Sequence, residues 1–582
     1  MKNKFRCLIA AALTAALLCG CAASPAQAIA DLAGTQAARE DAQAEYLSFD
    51  DMEYVRPGTD ELAADVAAVE QAIADGMETG ELTELLDRCY AGYYEFSTMY
   101  TLAEIRYLRD MSDEFYSQEY SWCGDNFASV QQLMERMYGA CAASPAADEL
   151  EDEYFWEGFV EEYGGDDSLR YSDRAVELMQ RESELLGEYY ALTASPTITI
   201  DGEEADYAGY LAGADGEAYS AARMEYYRQY NGRFAQIYME LVRTRKAIAE
   251  EMGYDSYEQM RYTSFERDYT PEQAAAYLED IRTYIVPLYR EVMTGDPYAG
   301  VDYSYMSADR LLDVMGAVAE SMGGDAAEAF DFMRSYGLYD VERGENKANM
   351  SFTVYLDSYD EPFLFVTPYC DTEDILTLSH EFGHYLDAYV NYNAYESLDL
   401  SECFSQAMEY VTLGACGGVI DGDEYESLRL IKILGTLELY TSQASFAEFE
   451  SRVYAMSDDE LSADALNRLS LQLANDYGYN DGANDEYYAL SWFDITHFFE
   501  SPFYVISYPV SNDAAIQIYE LEQNSPGAGL EKYLELLPRN YETLIESLEA
   551  AGLESPFAAG RICRVADMLR TELAAAGLAA AA

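Results

Sequence analysis

The main pattern in this chain is an apolar residue at every third or fourth position, with acidic residues between them. Residues 81–92 and 175–192 are clear examples. This spacing is typical of amphipathic helices that bury one face. Only 14 of the 582 residues are proline, and none lies within 58–144 or 369–501, so long stretches lack helix breakers. The pattern predicts a mainly α fold.

Two short segments depart from this pattern and predict β-strands. Thr197–Ile200 is β-branched throughout, and the turn pair Asp201-Gly202 follows it, which marks a boundary near residue 200. Ser351–Val366 contains two apolar runs on either side of a turn-like stretch at 357–362. This second segment predicts a β-hairpin.

These signals divide the chain into five predicted regions. The regions are a signal segment at 1–20, a flexible tether at 21–50, an N-terminal helical region at 51–195, a catalytic region at 196–570 and an alanine-rich tail at 571–582. The N-terminal helical region carries no catalytic motif, so we expect the chemistry in the fourth region.

The N-terminus has the features of a secretory signal. Three basic residues within the first six precede an apolar run, Cys7 to Leu18, that is too short to anchor the chain in a bilayer. The run ends in Leu18-Cys19-Gly20-Cys21, which resembles a bacterial lipobox and implies a lipid on Cys21. We expect an exported protein held at the bacterial cell surface. An ordinary signal peptide cleaved at Ala28, giving a secreted protein, is the alternative.

The formal net charge is −73, from 35 basic and 108 acidic residues. Such an acidic surface argues against a nucleic acid partner, because binding to phosphates relies on lysine and arginine. We interpret the excess of acidic residues as a solvated surface that keeps the protein soluble. The membrane is expected to be a partner only through the lipid on Cys21.

A metal-binding motif follows the predicted hairpin. His380-Glu381-Phe382-Gly383-His384 matches HExxH in a helical setting. Residues four apart share one helix face, so two imidazoles can converge on one zinc ion while Glu381 reaches the attacking water. The chain has only 3 histidines, so a chance match has a probability on the order of one in a thousand. A buried histidine pair without a metal is the other interpretation.

A catalytic zinc ion usually has three protein ligands, so a third is required. Asp387 shares the stripe of the histidines, but it lies about 10.5 Å from His380 along a helix axis, while zinc bonds are about 2 Å long. The next helical segment carries Glu402, Gln406 and Glu409 on one stripe. A solvent-facing stripe is the simpler interpretation, but the need for a third ligand favours Glu402. Gln406 and Glu409 are then expected behind the ligands.

Three blocks of sequence together resemble the thimet oligopeptidase family, most closely its oligoendopeptidase F branch. Residues 374–384 resemble the zinc helix of that family, and residues 402–409 resemble its E-x-x-S-Q-x-x-E segment, which carries the third ligand. Residues 497–508 resemble its C-terminal H-F-Y-x-P-F-Y-V-Y-x-Y segment. The resemblance covers roughly residues 197–565.

The resemblance implies a two-lobed helical shell around a deep channel, with a small β-sheet beside the HExxH helix. It implies a zinc metalloendopeptidase with one Zn²⁺ per chain, bound by His380, His384 and Glu402, that cuts short oligopeptides. Glu381 would be the general base. The resemblance also implies that His497 and Tyr508 stabilise the oxyanion, together with Tyr504. A monomer is expected.

Two positions depart from the family pattern. Asp387 stands where the family commonly has histidine, and Ile506 replaces a usual tyrosine. Both changes are expected to affect substrate fit rather than the ligands. Two other functions stay open at this point: a related glutamate-zincin exopeptidase, and a lipid-anchored peptide-binding protein without turnover.

Overall fold

The computed structural model describes residues 46–580, except 78, 157, 165–171, 195, 201, 393–396, 481 and 539–542. The predicted signal segment, Cys21 and most of the tether lie outside the described residues. Within the part of the chain that is described, no helix is both long enough and apolar enough to cross a bilayer.

The region before residue 195 is helical and has its own apolar core. Its helices are α1 (Thr59–Ala74), α2 (Thr79–Arg109), α3 (Glu114–Ala142), α4 (Ala147–Glu153), α5 (Phe159–Tyr163) and α6 (Asp173–Ala194). Helices α1 to α3 pack on one another around buried aromatic and aliphatic residues such as Leu86, Tyr93 and Met134. Asp113 caps α3, since its carboxylate accepts from the backbone N–H groups of Phe115 and Tyr116.

The remaining helices surround a second and larger apolar core. In chain order they are α7 (Tyr207–Gly213), α8 (Gly216–Glu251), α9 (Tyr257–Ser264), α10 (Pro271–Met293), α11 (Ala308–Met322), α12 (Gly324–Tyr336), α13 (Asp374–Asn391), α14 (Leu398–Cys416), α15 (Gly422–Tyr454), α16 (Ala463–Asp476), α17 (Asp485–Leu490), α18 (Thr496–Glu500), α19 (Ser507–Asn524), α20 (Ala528–Leu536), α21 (Leu544–Ala550) and α22 (Arg561–Ala575). Helix α14 packs closely against both α13 and α19. This three-helix contact brings the predicted site residues together.

The strand and the hairpin predicted from the sequence both form, and two further strands among the described residues pair with them. β1 (Thr197–Ile200) pairs with β2 (Glu203–Asp206) in an antiparallel hairpin. β4 (Ser351–Leu356) and β5 (Glu361–Val366) form the second predicted hairpin, and β3 (Tyr339–Val341) adds in parallel to β5. The resulting order is β3-β5-β4, so β4 is an edge strand. Both β4 and β5 pack on α13.

The fold class predicted from the sequence is confirmed. The structure is 70% helix and 5% strand, and its small three-stranded sheet lies beside the HExxH helix.

Candidate metal centre and active site

The HExxH motif lies in the middle of α13, on the side that faces α14. His380 and Glu381 are each 2% exposed, and the side chain of His384 is 11% exposed. The two imidazole rings are edge to face, with centroids 5.0 Å apart. The four-residue spacing thus places both histidines on one face, as predicted.

The glycine of the motif allows α14 to approach closely. A Cβ atom at Gly383 would lie 2.6 Å from the Cα of Ser405 and 2.8 Å from the carbonyl oxygen of Phe404. Such distances are well inside normal contact, so only glycine fits without moving a helix. The approach carries Glu402, which is fully buried on α14, to the two histidines.

His380, His384 and Glu402 converge on one point. His380 Nε2 lies 3.6 Å from Glu402 Oε2, and His384 Nε2 lies 4.0 Å from Glu402 Oε1. All three ligand atoms fall within 4.8 Å of one another. Ligands about 2 Å from a tetrahedral zinc ion are separated by roughly 3.3 Å, so the cluster is slightly wider than a loaded site. Two imidazoles and one carboxylate are a donor set that suits zinc.

Partners on neighbouring helices orient both imidazoles. His380 Nδ1 lies 3.0 Å from Glu409 Oε1, and the other oxygen of Glu409 accepts from Lys432 Nζ at 2.8 Å. His384 Nδ1 lies 3.2 Å from Ser401 Oγ. An N–H donated at Nδ1 leaves Nε2 as the atom available to a metal.

The electrostatics of the cluster favour a cation. Burial opposes protonation of His380, but the hydrogen bond with Glu409 and the charges of Glu402 and Glu409 outweigh it and raise the pKa of His380 to about 9. Burial raises the pKa of Glu402, and the charge of His380 opposes that rise. Burial also lowers the pKa of His384 well below its usual value. The buried carboxylates therefore gain most from a neighbouring positive charge.

Glu381 is held by the edge strand of the sheet. The hydroxyl of Thr353, on β4, lies 3.1 Å from Glu381 Oε2 and 3.0 Å from its backbone carbonyl oxygen. The contact fixes the carboxylate beside the cluster on the side of β4. A carboxylate in this place can accept a proton from a water molecule at the cluster.

The C-terminal block brings a second set of polar groups to the cluster. Tyr504 Oη donates to Glu402 Oε1 at 2.5 Å, and Tyr508 Oη lies 3.3 Å from His497 Nε2. Burial lowers the pKa of His497 to about 4, so its imidazole is neutral near pH 7. The structure thus places all seven predicted site residues in one cluster, but it ties Tyr504 directly to a candidate ligand.

Asp387 lies one turn beyond the histidines and outside the metal cluster. It is 2% exposed and accepts from Asn391 Nδ2 at 2.8 Å. The described group that can hold a metal consists of His380, His384 and Glu402 alone. This arrangement agrees with the expectation that Asp387 is not a ligand.

Four contributors to the site were not singled out from the sequence: Thr353, Ser401, Lys432 and Gly383. Thr353 and Lys432 are distant in sequence from the residues that they contact, and no local pattern marks them. Ser401 precedes Glu402 and Gly383 lies inside the motif, so both were visible. Their roles depend on the packing of α13 on α14, which periodicity does not specify.

Comparison with known proteins gives two sequence matches to one family. The sequence model of the peptidase M3 N-terminal domain matches residues 49–159, and that of peptidase family M3 matches residues 331–560. Together they span more than half of the chain and include every predicted site residue. Comparison with the curated proteins finds no match.

Solved structures share the fold over nearly the whole length. PZ peptidase A with an inhibitor is 24% identical, with a TM-score of 0.78 over 90% of this chain and 99% of that chain. A provisional oligoendopeptidase F from Bacillus anthracis is 24% identical, with a TM-score of 0.72 over 91% and 98%. Oligoendopeptidase F from Enterococcus faecium is 18% identical, with a TM-score of 0.55 over 89% and 98%. With the sequence matches and the HExxH cluster, these likenesses lead to one conclusion: the chain belongs to peptidase family M3.

Proposed function

We propose that this peptidase is a zinc-dependent endopeptidase that hydrolyses internal bonds of short oligopeptides. The observation that carries the proposal is the convergence of His380, His384 and Glu402 within 4.8 Å, with Glu381 held beside them by Thr353. Two imidazoles, one carboxylate and an adjacent carboxylate outside the donor set make up the groups that metal-assisted hydrolysis needs. The names of the similar structures, which include oligoendopeptidase F, support the substrate class.

In this proposal each side chain has one task. His380, His384 and Glu402 would hold the zinc ion, and the chemistry supplied there is activation of water and polarisation of the scissile carbonyl group. Glu381 accepts a proton from the attacking water and delivers it to the leaving amine as the C–N bond breaks. Tyr504 holds Glu402 in place through its hydrogen bond.

His497 and Tyr508 are proposed to stabilise the oxyanion. Burial lowers the pKa of His497 to about 4, so its imidazole is neutral. The N–H of this neutral ring can donate a hydrogen bond to the oxyanion. Tyr508 is 1% exposed, and its hydroxyl is held by His497. Donors fixed in a dry site act on the developing negative charge without reorganisation.

The edge strand β4 is the proposed binding surface for the substrate backbone. Thr353 lies on β4 and contacts Glu381, so a peptide added along this edge would pass next to the general base. An extended peptide can bind such an edge through main-chain hydrogen bonds without regard to its side chains. This mode suits an enzyme that accepts varied short peptides.

The proposal extends to the place of action. Leu18-Cys19-Gly20-Cys21 supports an exported protein held through a lipid on Cys21. The enzyme would then act on peptides outside the cytoplasm.

The proposed function is tested with peptides blocked at both ends. The soluble chain from about residue 30, loaded with zinc, is expected to cut blocked peptides of about ten residues at internal bonds, and a chelator is expected to stop cleavage. Mass spectrometry of the products gives the cut positions. Cleavage only near free ends would favour an exopeptidase. Stoichiometric zinc without hydrolysis across a broad library would favour a peptide-binding protein.

Replacing Tyr508 with phenylalanine is expected to lower kcat by about 10²- to 10³-fold, as for loss of one oxyanion donor. KM should change little, because the hydroxyl acts on charge that develops in the transition state. Steady-state kinetics on one blocked peptide measures both constants. Tyr519→Phe is the matched control, since Tyr519 lies on the same helix, α19, and its buried hydroxyl has no hydrogen-bond partner among the described residues. A Tyr508→Phe enzyme as active as the control would remove Tyr508 from the mechanism.

A further inference from the structure

Residues 501–506 carry Tyr504 and link α18 to α19 without regular helix. Phe503 has a φ of 64°, which is the left-handed region and costly for a phenylalanine. The segment must therefore be held from outside. Glu450 Oε1 accepts from the backbone N–H of Phe503 at 2.9 Å, which fixes the turn on one side.

Arg267 holds the same turn from the other side. Its Nη2 atom donates to the carbonyl oxygen of Phe503 at 2.8 Å and to Ser507 Oγ at 2.8 Å. Phe503 directly precedes Tyr504, and Ser507 directly precedes Tyr508. One nitrogen atom thus holds both residues that directly precede the site tyrosines, Phe503 through its backbone carbonyl group and Ser507 through its side-chain hydroxyl.

The Nε atom of this guanidinium group faces the helix of the third candidate ligand. Arg267 Nε lies 3.4 Å from Asp399 Oδ2, and both side chains are buried, with 0% and 1% exposed. Asp399 lies on α14, three residues before Glu402. Asp399 is also linked to α19, because its carbonyl oxygen accepts from Ser511 Oγ at 2.7 Å. The ion pair therefore connects α14 to the segment that bears the tyrosines.

Aromatic rings enclose the guanidinium group and fix its position. Its Cζ lies 4.6 Å from the ring centre of Tyr262, 5.0 Å from that of Phe265 and 5.7 Å from that of Tyr269. Phe265 also packs edge to face on Tyr504, at 6.0 Å between centroids. A lysine could neither stack on these rings nor donate to both acceptors in the same geometry. Its ammonium group is compact and lacks the planar fork of the guanidinium group.

We propose that Arg267 is a positioning residue that holds Tyr504 and Tyr508 in register with Glu402. The inference deepens the proposed function and rests on it. Arg267 acts through these tyrosines and does not contact the metal cluster in the structure. Its removal is therefore expected to affect the catalytic step more than substrate binding, because small displacements of oriented groups cost much of the rate.

The test is Arg267→Lys in the zinc-loaded enzyme. We expect kcat at saturating zinc to fall by about 10- to 100-fold, while KM stays within about threefold because the edge strand is untouched. Zinc affinity should weaken as well, because Tyr504 no longer holds Glu402 in place. Arg282→Lys is the matched control. Arg282 pairs with Glu448 and Glu279 and lies over the ring of Tyr477, none of which belongs to the site, so the kcat of this variant should stay within about twofold. A kcat that falls only in proportion to lost zinc or lost folded protein would overturn the proposal.

Ser507→Ala gives a second test that keeps the ion pair intact. Alone it should lower kcat several-fold, and in the Arg267→Lys background it should add less than that factor, because both changes break the same bridge. If the two substitutions lowered kcat by factors that simply multiply in the double variant, the contact between Arg267 and Ser507 would not be what positions the tyrosines.

A crystal structure of Arg267→Lys separates this inference from the proposed function, since it needs no turnover. We expect the contact of 2.5 Å between Tyr504 Oη and Glu402 Oε1 to be lost or lengthened beyond hydrogen-bonding distance. An unchanged contact would overturn the proposal whether or not the protein cuts peptides.

Discussion

Replacing Glu381 with glutamine is expected to lower kcat by about 10²- to 10⁴-fold, the usual contribution of a general base. Glutamine keeps the size of the side chain and can still accept from Thr353, which lies 3.1 Å from Glu381 Oε2. It cannot take a proton from water. Because Glu381 is outside the donor cluster, zinc affinity should stay within a few-fold of that of the natural protein. Single-turnover kinetics with zinc determined on the same sample measures both quantities.

Glu426→Gln is the matched control for this prediction. Glu426 lies on α15 with its side chain 65% exposed and pairs with Arg429 at the surface, so its removal should leave kcat unchanged. A Glu381→Gln enzyme that turns over at near-normal rate would remove Glu381 from the mechanism. Loss of zinc in this variant would show that Glu381 is a ligand instead.

Replacing Glu402 with glutamine is expected to weaken zinc binding by at least about 100-fold, because changes behind the ligands already cost 10- to 100-fold. The amide fills the same buried space and can accept from Tyr504, but it brings no charge to the cluster. Activity should fall at low zinc and return in part when zinc is raised. Competition with a chromophoric chelator gives the affinity.

Ser405→Ala tests the position of the ligand rather than its charge. Ser405 Oγ lies 3.3 Å from Glu402 Oε2, so this variant should lose zinc affinity by a smaller factor than Glu402→Gln. Equal zinc affinity in Glu402→Gln and the natural protein would remove Glu402 from the ligand set.

The parts of the site that the sequence could predict are those set by local spacing or by a chemical requirement. The HExxH spacing alone places His380 and His384 on one face of a helix. The need for a third ligand points to Glu402 on the next helix. Apolar runs on either side of a turn were enough for the β4–β5 hairpin, which has the predicted outer limits, although Glu361 and Pro362 belong to β5 and not to the turn.

The parts that the sequence could not predict depend on which elements pack together. Thr353 meets Glu381 because β4 packs on α13, and Lys432 meets Glu409 because α15 packs on α14. Phe503 gives no local signal for its left-handed backbone, since glycine and asparagine are the usual residues there. Tyr504 and Tyr508 could be selected among 54 tyrosines only through the resemblance to a family.

Titration of the metal-free protein with zinc, followed by turnover of one blocked peptide, tests the central claim most directly. The account predicts no cleavage without metal, and activity that rises with bound zinc and reaches its limit at one zinc per chain. Full peptide cleavage by protein freed of metal, or activity that needs more than one zinc per chain, would contradict it.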